Sequence, residues 1–422
     1  MKTVSAILTA LLAAGPAAAQ SAQIQVDQIR EHALYESAMD FIDQDYPRFV
    51  DELIELTEIP APPFAEQERG EVYLEKLRAL GLDDVEQDAE GNVMGIRLGT
   101  GDGLLAIAAH LDTVFPEGTD VTVQRRGTQL SAPGVGDDTS GLTTLLAVIR
   151  ALDAAGMTTD SSILFVGDVG EEGIGDLRGM KYLFGEGAYS DQIDMFVSIE
   201  GGRQLDITTQ ALGSKRFRVT FRGPGGHSYS AFGLVNPAFA LGTAMAKLGS
   251  LEVPESPKTT YSVGRIGGGT SVNSIPFESW MEVDLRSEGN DELEELAQDF
   301  LALVQDATDE ENASRSTGQG AIELDIEMIG ERPSGETPID SPIVQLTTEV
   351  YRAFGIEPSY NRSSTDSNIP ISLGVPAITI DRGGMGGRSH SLEEWVDVSQ
   401  PETVKGIQVV LTTILALAGL NE

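Results

Sequence analysis

An α/β body with a mostly parallel central sheet, interrupted by a smaller α+β domain, is the fold the sequence predicts. Three observations carry this reading. Short, almost wholly apolar runs at Leu104–Ala109, Ile163–Val166, Phe196–Ile199 and Ala377–Ile380 have the length and composition of strands covered on both faces. Between the first two, Gly141–Ala155 sets Leu142, Leu145, Leu146, Ile149 and Leu152 at helical spacing, and strands alternating with helices build a parallel sheet. From about Leu212 to Gly330 the pattern changes to β-α-β-β-α-β, the ferredoxin-like plan.

Taken in order, residues 1–20 read as a cleavable secretory signal. Lys2 gives a positive start, Val4–Ala14 an apolar run too short to span a bilayer, and Ala17-Ala18-Ala19 an A-x-A cleavage pattern. The product is therefore expected in the periplasm or secreted. An acidic helix is expected from Gln25 to about Thr57, with His32 on its solvated surface, before Pro60, Pro62 and Pro63 punctuate the chain. Glu68–Leu80 reads as a helix, with Val72, Leu77 and Leu80 on one side and Gly81 as its stop. The first part of the body is assigned to 21–211, the inserted domain to 212–330 and the second part of the body to 331–422. Within the insertion, strands are expected at Arg216–Phe221, Thr260–Ile266, Ser279–Arg286 and Ile322–Ile329. Its helices are expected from Asn236-Pro237 to about Gly249 and over Asp291–Ala307. The last apolar stretch, Ile407–Leu417, is broken by Gln408, Thr412 and Thr413 and reads as a packed helix, so no membrane span is expected.

Composition narrows the chemistry. The 422 residues hold 28 Lys+Arg against 66 Asp+Glu, a formal charge of −38, which leaves no basic surplus to displace the counterions of a nucleic acid. Cysteine is absent, which excludes disulfides, thiolate catalysis and cysteine-type zinc sites. Only four histidines occur, His32, His110, His227 and His390.

The residues that follow each apolar run matter most. The first run leads into His110-Leu111-Asp112, the second through Asp168 into Glu171-Glu172, and the third ends in Glu200. The fourth leads into a glycine-rich loop, Gly383–Gly387, and then His390. Gly134-Val135-Gly136-Asp137-Asp138 stands directly before the Gly141 helix. Ligands of open α/β sheets bind at the carboxyl ends of strands, where this chain delivers imidazoles and carboxylates. Such a set suits a divalent metal with nitrogen and oxygen ligands, and a shared carboxylate makes a two-metal site. Singly, each has a plainer reading: Asp137-Asp138 caps the following helix, and Glu171-Glu172 is a charged turn.

Taken together, Ala-His110-Leu-Asp112-Thr, Gly136-Asp137-Asp138-Thr-Ser-Gly141, Gly170-Glu171-Glu172-Gly173, Ser198-Ile-Glu200-Gly and Ser389-His390-Ser-Leu-Glu-Glu-Trp-Val resemble the ordered motifs of a co-catalytic zinc hydrolase family. That family contains peptidase T, glutamate carboxypeptidase, acetylornithine deacetylase and succinyl-diaminopimelate desuccinylase. The resemblance runs from about Asp40 to Leu417. It implies a zinc-exopeptidase-like catalytic domain carrying a lid or dimerisation domain, and two zinc ions per subunit, with cobalt or manganese as other divalent candidates. It implies His110, Asp137 and Glu200 on one ion and Asp137, Glu172 and His390 on the other, with Asp137 as the bridge. Asp112 would orient the His110 imidazole, and Glu171, without a metal, would be the general base for a hydroxide held between the ions. His227, in Gly223-Pro-Gly-Gly-His-Ser, would stabilise the oxyanion, often from a partner subunit, and Asn273 and Arg286 would bind substrate. The expected activity is hydrolysis of short peptides. An N-acyl amino acid amidohydrolase is the alternative, and an inactive exported binding protein a more distant one. Two departures stand out: Thr139-Ser140 where many relatives carry Lys or Met-Lys, and Ser363-Ser-Thr-Asp-Ser367 where relatives have Gly-Gly-Thr-Asp-Gly. The first puts substrate preference near that loop in question, and the second is expected near the substrate pocket.

Overall fold

A computed structural model describes residues 19–200 and 206–421. The expected leader lies outside the described residues, except for Ala19 and Gln20 at the start of a helix. The first stretch contains α1 (19–31), α2 (Tyr35–Thr57), α3 (Gln67–Ala79), β1 (Asp83–Gln87), β2 (Val93–Arg97), β3 (Leu104–His110), β4 (Gln124–Arg126) and β5 (Gln129–Ser131). Next come α4 (Thr139–Ala155), β6 (Ser162–Asp168), α5 (Arg178–Gly185), β7 (Met195–Glu200) and β8 (Ile207–Ala211). The middle holds β9 (Gly213–Arg222), β10 (Gly226–His227), α6 (Pro237–Leu248), β11 (Thr259–Gly268), β12 (Ser274–Ile275), β13 (Glu278–Ser287), α7 (Asn290–Ser314) and β14 (Glu323–Arg332). The remainder is β15 (Gly335–Glu336), α8 (Pro342–Ala353), β16 (Tyr360–Ser363), α9 (Asn368–Ser372), β17 (Ala377–Asp381), β18 (Met385–Gly387), β19 (Trp395–Asp397) and α10 (Gln400–Ala418).

Leu212–Gly335 forms one compact unit, and the chain on either side of it forms the other. In the larger unit the main sheet runs β1-β2-β6-β3-β7-β17-β8-β15, with β16 on β8. Its centre, β6-β3-β7-β17, is parallel, while β2 and β8 join that block antiparallel. The alternation of β3 explains the layers. Leu105, Ile107 and Ala109 enter a core with residues of α2, α4, α8 and α10. Leu104, Ala106 and Ala108 face Leu177, Met180, Leu183 and Phe184 in a second core across the sheet. Each large aliphatic side chain buried this way contributes about 1.5–3 kcal/mol.

The long opening helix is two helices. At the break the His32 ring accepts a hydrogen bond from Leu34 N at 3.2 Å, so a side chain takes a donor that the helix ladder would otherwise use. His32 is half-buried rather than fully solvated. The helix α10 is the one long and apolar enough to cross a membrane among the described residues, and its Val410, Leu411 and Leu415 are buried in the first core. Beside it, the exit of β17 passes very close: a Cβ on Gly383, where φ is +81°, would sit 2.1 Å from Gly406 Cα. Only glycine allows that crossing, which sets the course of the chain towards His390.

A small sheet, β18-β19-β5-β4, has no counterpart in the sequence reading, because its strands are three residues long. It has consequences for the site. Trp395 of β19 faces Ser131 of β5, so the turn bearing His390 and the loop bearing Asp137 leave from one strand pair.

In the smaller unit the sheet order is β11-β13-β9-β14, antiparallel throughout. Helices α6 and α7 cover one face, burying Phe217, Val219, Phe221, Val283, Leu285 and Phe300. This is the β-α-β-β-α-β plan; β9, β11, β13 and α7 extend past the expected runs, α6 spans Pro237–Leu248, and β14 begins at Glu323 and runs on to Arg332. The unit extends to Gly335 rather than 330 for a physical reason. Strand β14 continues to Arg332, and Ser334 is tied back to α7: its N and Oγ donate to Asn290 Oδ1 at 2.9 and 2.8 Å.

Candidate metal centre

His110 is the last residue of β3, and its ring is fixed on both sides. Nδ1 lies 3.0 Å from the carbonyl oxygen of Asp112, to which it donates, and Nε2 lies 3.0 Å from Asp137 Oδ1. The other oxygen of Asp137 lies 3.2 Å from His390 Nε2, which in turn is 2.8 Å from Glu172 Oε1. One carboxylate thus presents an oxygen to each of two imidazoles. Ligand atoms of His110, Asp137 and Glu172 all fall within 4.8 Å of one another. His110 is buried, whereas the His390 side chain is 57% exposed, so the centre opens on the His390 side. His390 holds φ at +64°, a backbone conformation few non-glycine residues adopt.

The paired acids have separate jobs. Asp138 caps α4, its Oδ1 accepting from Gly141 N at 3.1 Å, while Asp137 faces the imidazoles. A Cβ on Gly141 would meet Asp138 Oδ2 at 2.4 Å, which makes glycine the residue for that position. The neighbouring Thr139 and Ser140 are fully buried and donate to the carbonyls of Gly134 and Gly136 at 2.7 and 2.6 Å. The departure at 139–140 therefore anchors the loop from within.

Glu171-Glu172 is not a solvated turn, since both residues are buried. Their backbone N–H groups donate to Asp112 Oδ1 at 3.0 Å and Oδ2 at 2.8 Å. Asp112 was expected to orient the His110 ring. Its carbonyl does so, while its carboxylate, 3.7 Å from Nδ1, holds the backbone of the acidic pair. Asp112→Asn turns an acceptor into a donor against a buried N–H. A loss of about 1–3 kcal/mol in unfolding free energy is expected in a denaturant titration.

The electrostatics follow from this crowding. Burial opposes a charge on His110, but the hydrogen bond to Asp137 and the charges of Asp138, Asp137 and Asp112 outweigh it and raise its pKa well above the usual imidazole value. Hydrogen bonds to Asp137 and Glu172 push His390 up to about 10. Burial alone would raise Asp137, yet the two imidazoles hold its carboxyl well below the usual range. Glu200, closing β7, is driven up by burial and then by the charges of Glu171 and Asp137. Its Oε1 is buried with no hydrogen-bond partner among the described residues. A cation would satisfy that orphaned oxygen, and with two imidazole nitrogens and the oxygens of Asp137 and Glu172 the donor set fits a divalent metal. Behind the cluster, burial and the charges of Asp112 and Glu171 push Asp168 up to about 8. Thr365–Ser367 is buried and bonded to Thr379 of β17, and the Asp366 charge acts on Glu200.

In the smaller unit, His227 and Asn273 are neighbours. The ribbon β10–β12 pairs His227 with Ser274, and Ser228 N donates to Asn273 O at 2.9 Å. His227 is exposed, and its Nδ1 accepts from Tyr229 N at 3.2 Å, which leaves the proton of the neutral ring on Nε2. Arg286 is not brought to them within this unit. It lies near the opposite end of β13, facing Ser214 of β9, roughly 27 Å along the strand from Glu278 at about 3.4 Å per residue. Its Nε donates to Asp284 Oδ2 at 2.6 Å.

Two residues that support the centre have no role assigned from the sequence. Arg69 is fully buried and donates through Nη1 to Leu111 O at 2.7 Å and through Nη2 to Ile59 O at 2.7 Å, bracing the chain between His110 and Asp112. Glu394 is buried and accepts from the backbone N–H groups of Gly134, Gly136 and Asp137. The sequence does not separate it from Glu393, whose side chain is 67% exposed.

Known proteins bear on this geometry. A curated relative, the uncharacterized protein YqjE of Bacillus subtilis (strain 168), is 23% identical over 388 residues, covering 87% of this chain and 97% of its own. Among solved structures, aminopeptidase PepT from Bacillus cereus superposes with a TM-score of 0.70 at 22% identity, covering 88% of this chain and 99% of that one. A Staphylococcus aureus tripeptidase gives 0.70 at 19% identity, with the same 88% and 99% coverage. The Bacillus subtilis YXEP protein, a dinuclear metal-binding peptidase from the M20 family, gives 0.63 at 15%, again covering 88% and 99%. At these identities the structural likeness establishes the fold: a catalytic body of this kind with an inserted domain. Residues 106–416, which include every strand-end acid and imidazole described above, match Peptidase family M20/M25/M40. The chain therefore belongs to that family and is a hydrolase acting on peptide-type C–N bonds.

Proposed function

We propose that this chain is an exported two-metal peptidase that hydrolyses short peptides. The observation that carries the reading is the Asp137 carboxylate, with one oxygen facing His110 and the other facing His390 beside Glu172. His110, Asp137 and Glu200 would hold one divalent ion, zinc by the nature of its ligands, and Asp137, Glu172 and His390 the other. When bound, such a pair polarises a carbonyl and acidifies water. The remaining work falls to the chain. Glu171, held by Asp112 through its N–H, takes the proton of the attacking water and returns it to the leaving amine. His227 gives a hydrogen bond from its Nε2–H to the developing oxyanion and Asn273 binds the substrate's polar groups, while Arg286, near the far end of β13 from them, does so from a different copy of the chain. A second copy pairing through the inserted domain is part of the same proposal, and sedimentation analysis tests it.

The peptide assignment draws support from the likeness to an aminopeptidase and a tripeptidase. A panel of di- and tripeptides set against acetyl- and succinyl-amino acids, with the zinc-loaded protein, tests it. Peptides are expected to be turned over at least tenfold faster in kcat/KM. Faster cleavage of the acylated amino acids would replace the peptidase reading by an amidohydrolase one. Export rests on Lys2, the Val4–Ala14 run and Ala17-Ala18-Ala19. The amino-terminal sequence of the mature protein, expected to begin just after Ala19, decides it.

A further inference from the structure

We infer that Glu394 is a positioning residue that fixes the distance between the two halves of the metal centre. It rests on the two-metal reading above. The motif Ser389–Val396 supplies His390, and the rest of it has no role in the chemistry proposed so far. The structure gives it one. Glu394 is 1% exposed, and its carboxylate is filled by backbone donors of the loop that carries Asp137. Oε2 accepts from Gly134 N at 3.0 Å, and Oε1 accepts from Gly136 N and Asp137 N, both at 2.8 Å. Three N–H groups converging on one buried carboxyl group form a rigid joint.

The other end of the joint is the His390 turn. Ser391 N and Oγ donate to Arg388 O at 3.1 and 2.8 Å, and Glu394 N donates to Ser391 O at 3.0 Å. His390 and Glu394 therefore belong to one closed turn. Imidazole and carboxylate project from it to the same short segment of chain, one to the Asp137 side chain and the other to the Asp137 backbone. Strands β5 and β19 give the two segments a common origin six residues before Asp137, and Thr139 and Ser140 tie the Asp137 loop to itself, but these loop bonds do not reach the His390 turn. Glu394 supplies the bonds that cross from the turn to the loop and holds Asp137 at the reach of His390 before any ion arrives. A ligand set already in place binds metal more tightly, and outer residues that hold ligands are worth about 10–100-fold in affinity.

The test uses the full-length mature protein, zinc ions alone as the probe, and competition against a chelator. Glu394→Gln keeps shape and one acceptor oxygen but sets an amide donor against a buried N–H. It is expected to lower zinc affinity by about 10–100-fold, with the visible spectrum of the cobalt-loaded form altered. The second variant is Gly136→Ala, whose Cβ would meet Glu394 Oε1 at 3.0 Å and Val396 Cγ1 at 3.2 Å and press the carboxylate back by a few tenths of an ångström without changing any charge. It is expected to weaken zinc in the same direction, and it decides the matter alone should Glu394→Gln fail to fold. Wild-type affinity, within twofold, in a folded Glu394→Gln or in Gly136→Ala overturns the inference while the metal centre stands. A wild-type protein that takes up no zinc overturns both.

Discussion

Glu171→Gln is expected to retain its zinc and to lose turnover by about 10²–10⁴-fold, the usual contribution of a general base. The reason lies in how the acidic pair is split. Glu172 points its Oε1 at His390 and shares the compact ligand group with His110 and Asp137, whereas Glu171 is outside that group. Both backbones are pinned by the same Asp112 carboxylate, so an amide at 171 leaves the ligand at 172 where it was. The amide has nearly the carboxylate's shape but cannot accept a proton from water, and the deficit should appear in kcat with little change in KM. Metal content by elemental analysis and steady-state kinetics on a dipeptide check this together. A variant that keeps turnover within tenfold of the wild type would remove Glu171 from the base role, and one that loses both ions would make it a ligand.

Much of the layout was legible because the residues that build the sheet are nearly all apolar and those that follow them are not. Strands β3, β6, β7 and β17 announce themselves as buried runs, and their exits are where His110, Asp168, Glu200 and the His390 loop stand. The parts that stayed hidden lack such periodicity. Three-residue strands such as Gln129–Ser131 and Trp395–Asp397 are too short to show alternation, yet they gather the Asp137 loop and the His390 turn. The family resemblance singles out Asp137 as the bridge, but from spacing alone neither Asp137 and Asp138 nor Glu393 and Glu394 can be told apart, since that depends on which way neighbouring side chains turn. Arg69 was hidden for a related reason: a charge in an amphipathic helix reads as solvated until tertiary structure buries it against Ile59 and Leu111 carbonyls. The break at His32 shows the converse, with one local side-chain bond overriding good helical composition.

Zinc uptake is expected to strengthen by at least about 100-fold per pH unit between roughly pH 5.5 and 7.5, with two imidazole protons released as the pair of sites fills and the raised Glu200 carboxyl adding to the same trend. The sign follows from the two imidazoles. Each has its pKa raised by Asp137, His110 well above the usual value and His390 to about 10, so both carry a proton on Nε2 at neutral pH. A metal needs that nitrogen's lone pair, and His110 cannot offer the other one because Nδ1 donates to the Asp112 carbonyl. Each displaced proton contributes a tenfold dependence per pH unit, and the His390 share fades only as the pH approaches 10. The chelator-treated protein should respond in the opposite sense. Raised imidazole pKa values stabilise it fully below the unfolded value near 6.5, and that stabilisation is lost as pH rises through the folded value. The lowered pKa of Asp137 contributes above its unfolded value near 3.8 and is lost as pH falls. From pH 7 to 10, then, the stripped protein should weaken while its hold on zinc increases. Calorimetric titrations with zinc at pH 7, in two buffers of different ionisation enthalpy, count the protons directly. Release of less than half a proton would mean that His110 and His390 do not meet across Asp137 as charged rings, and the ion-pair bridge would have to be abandoned.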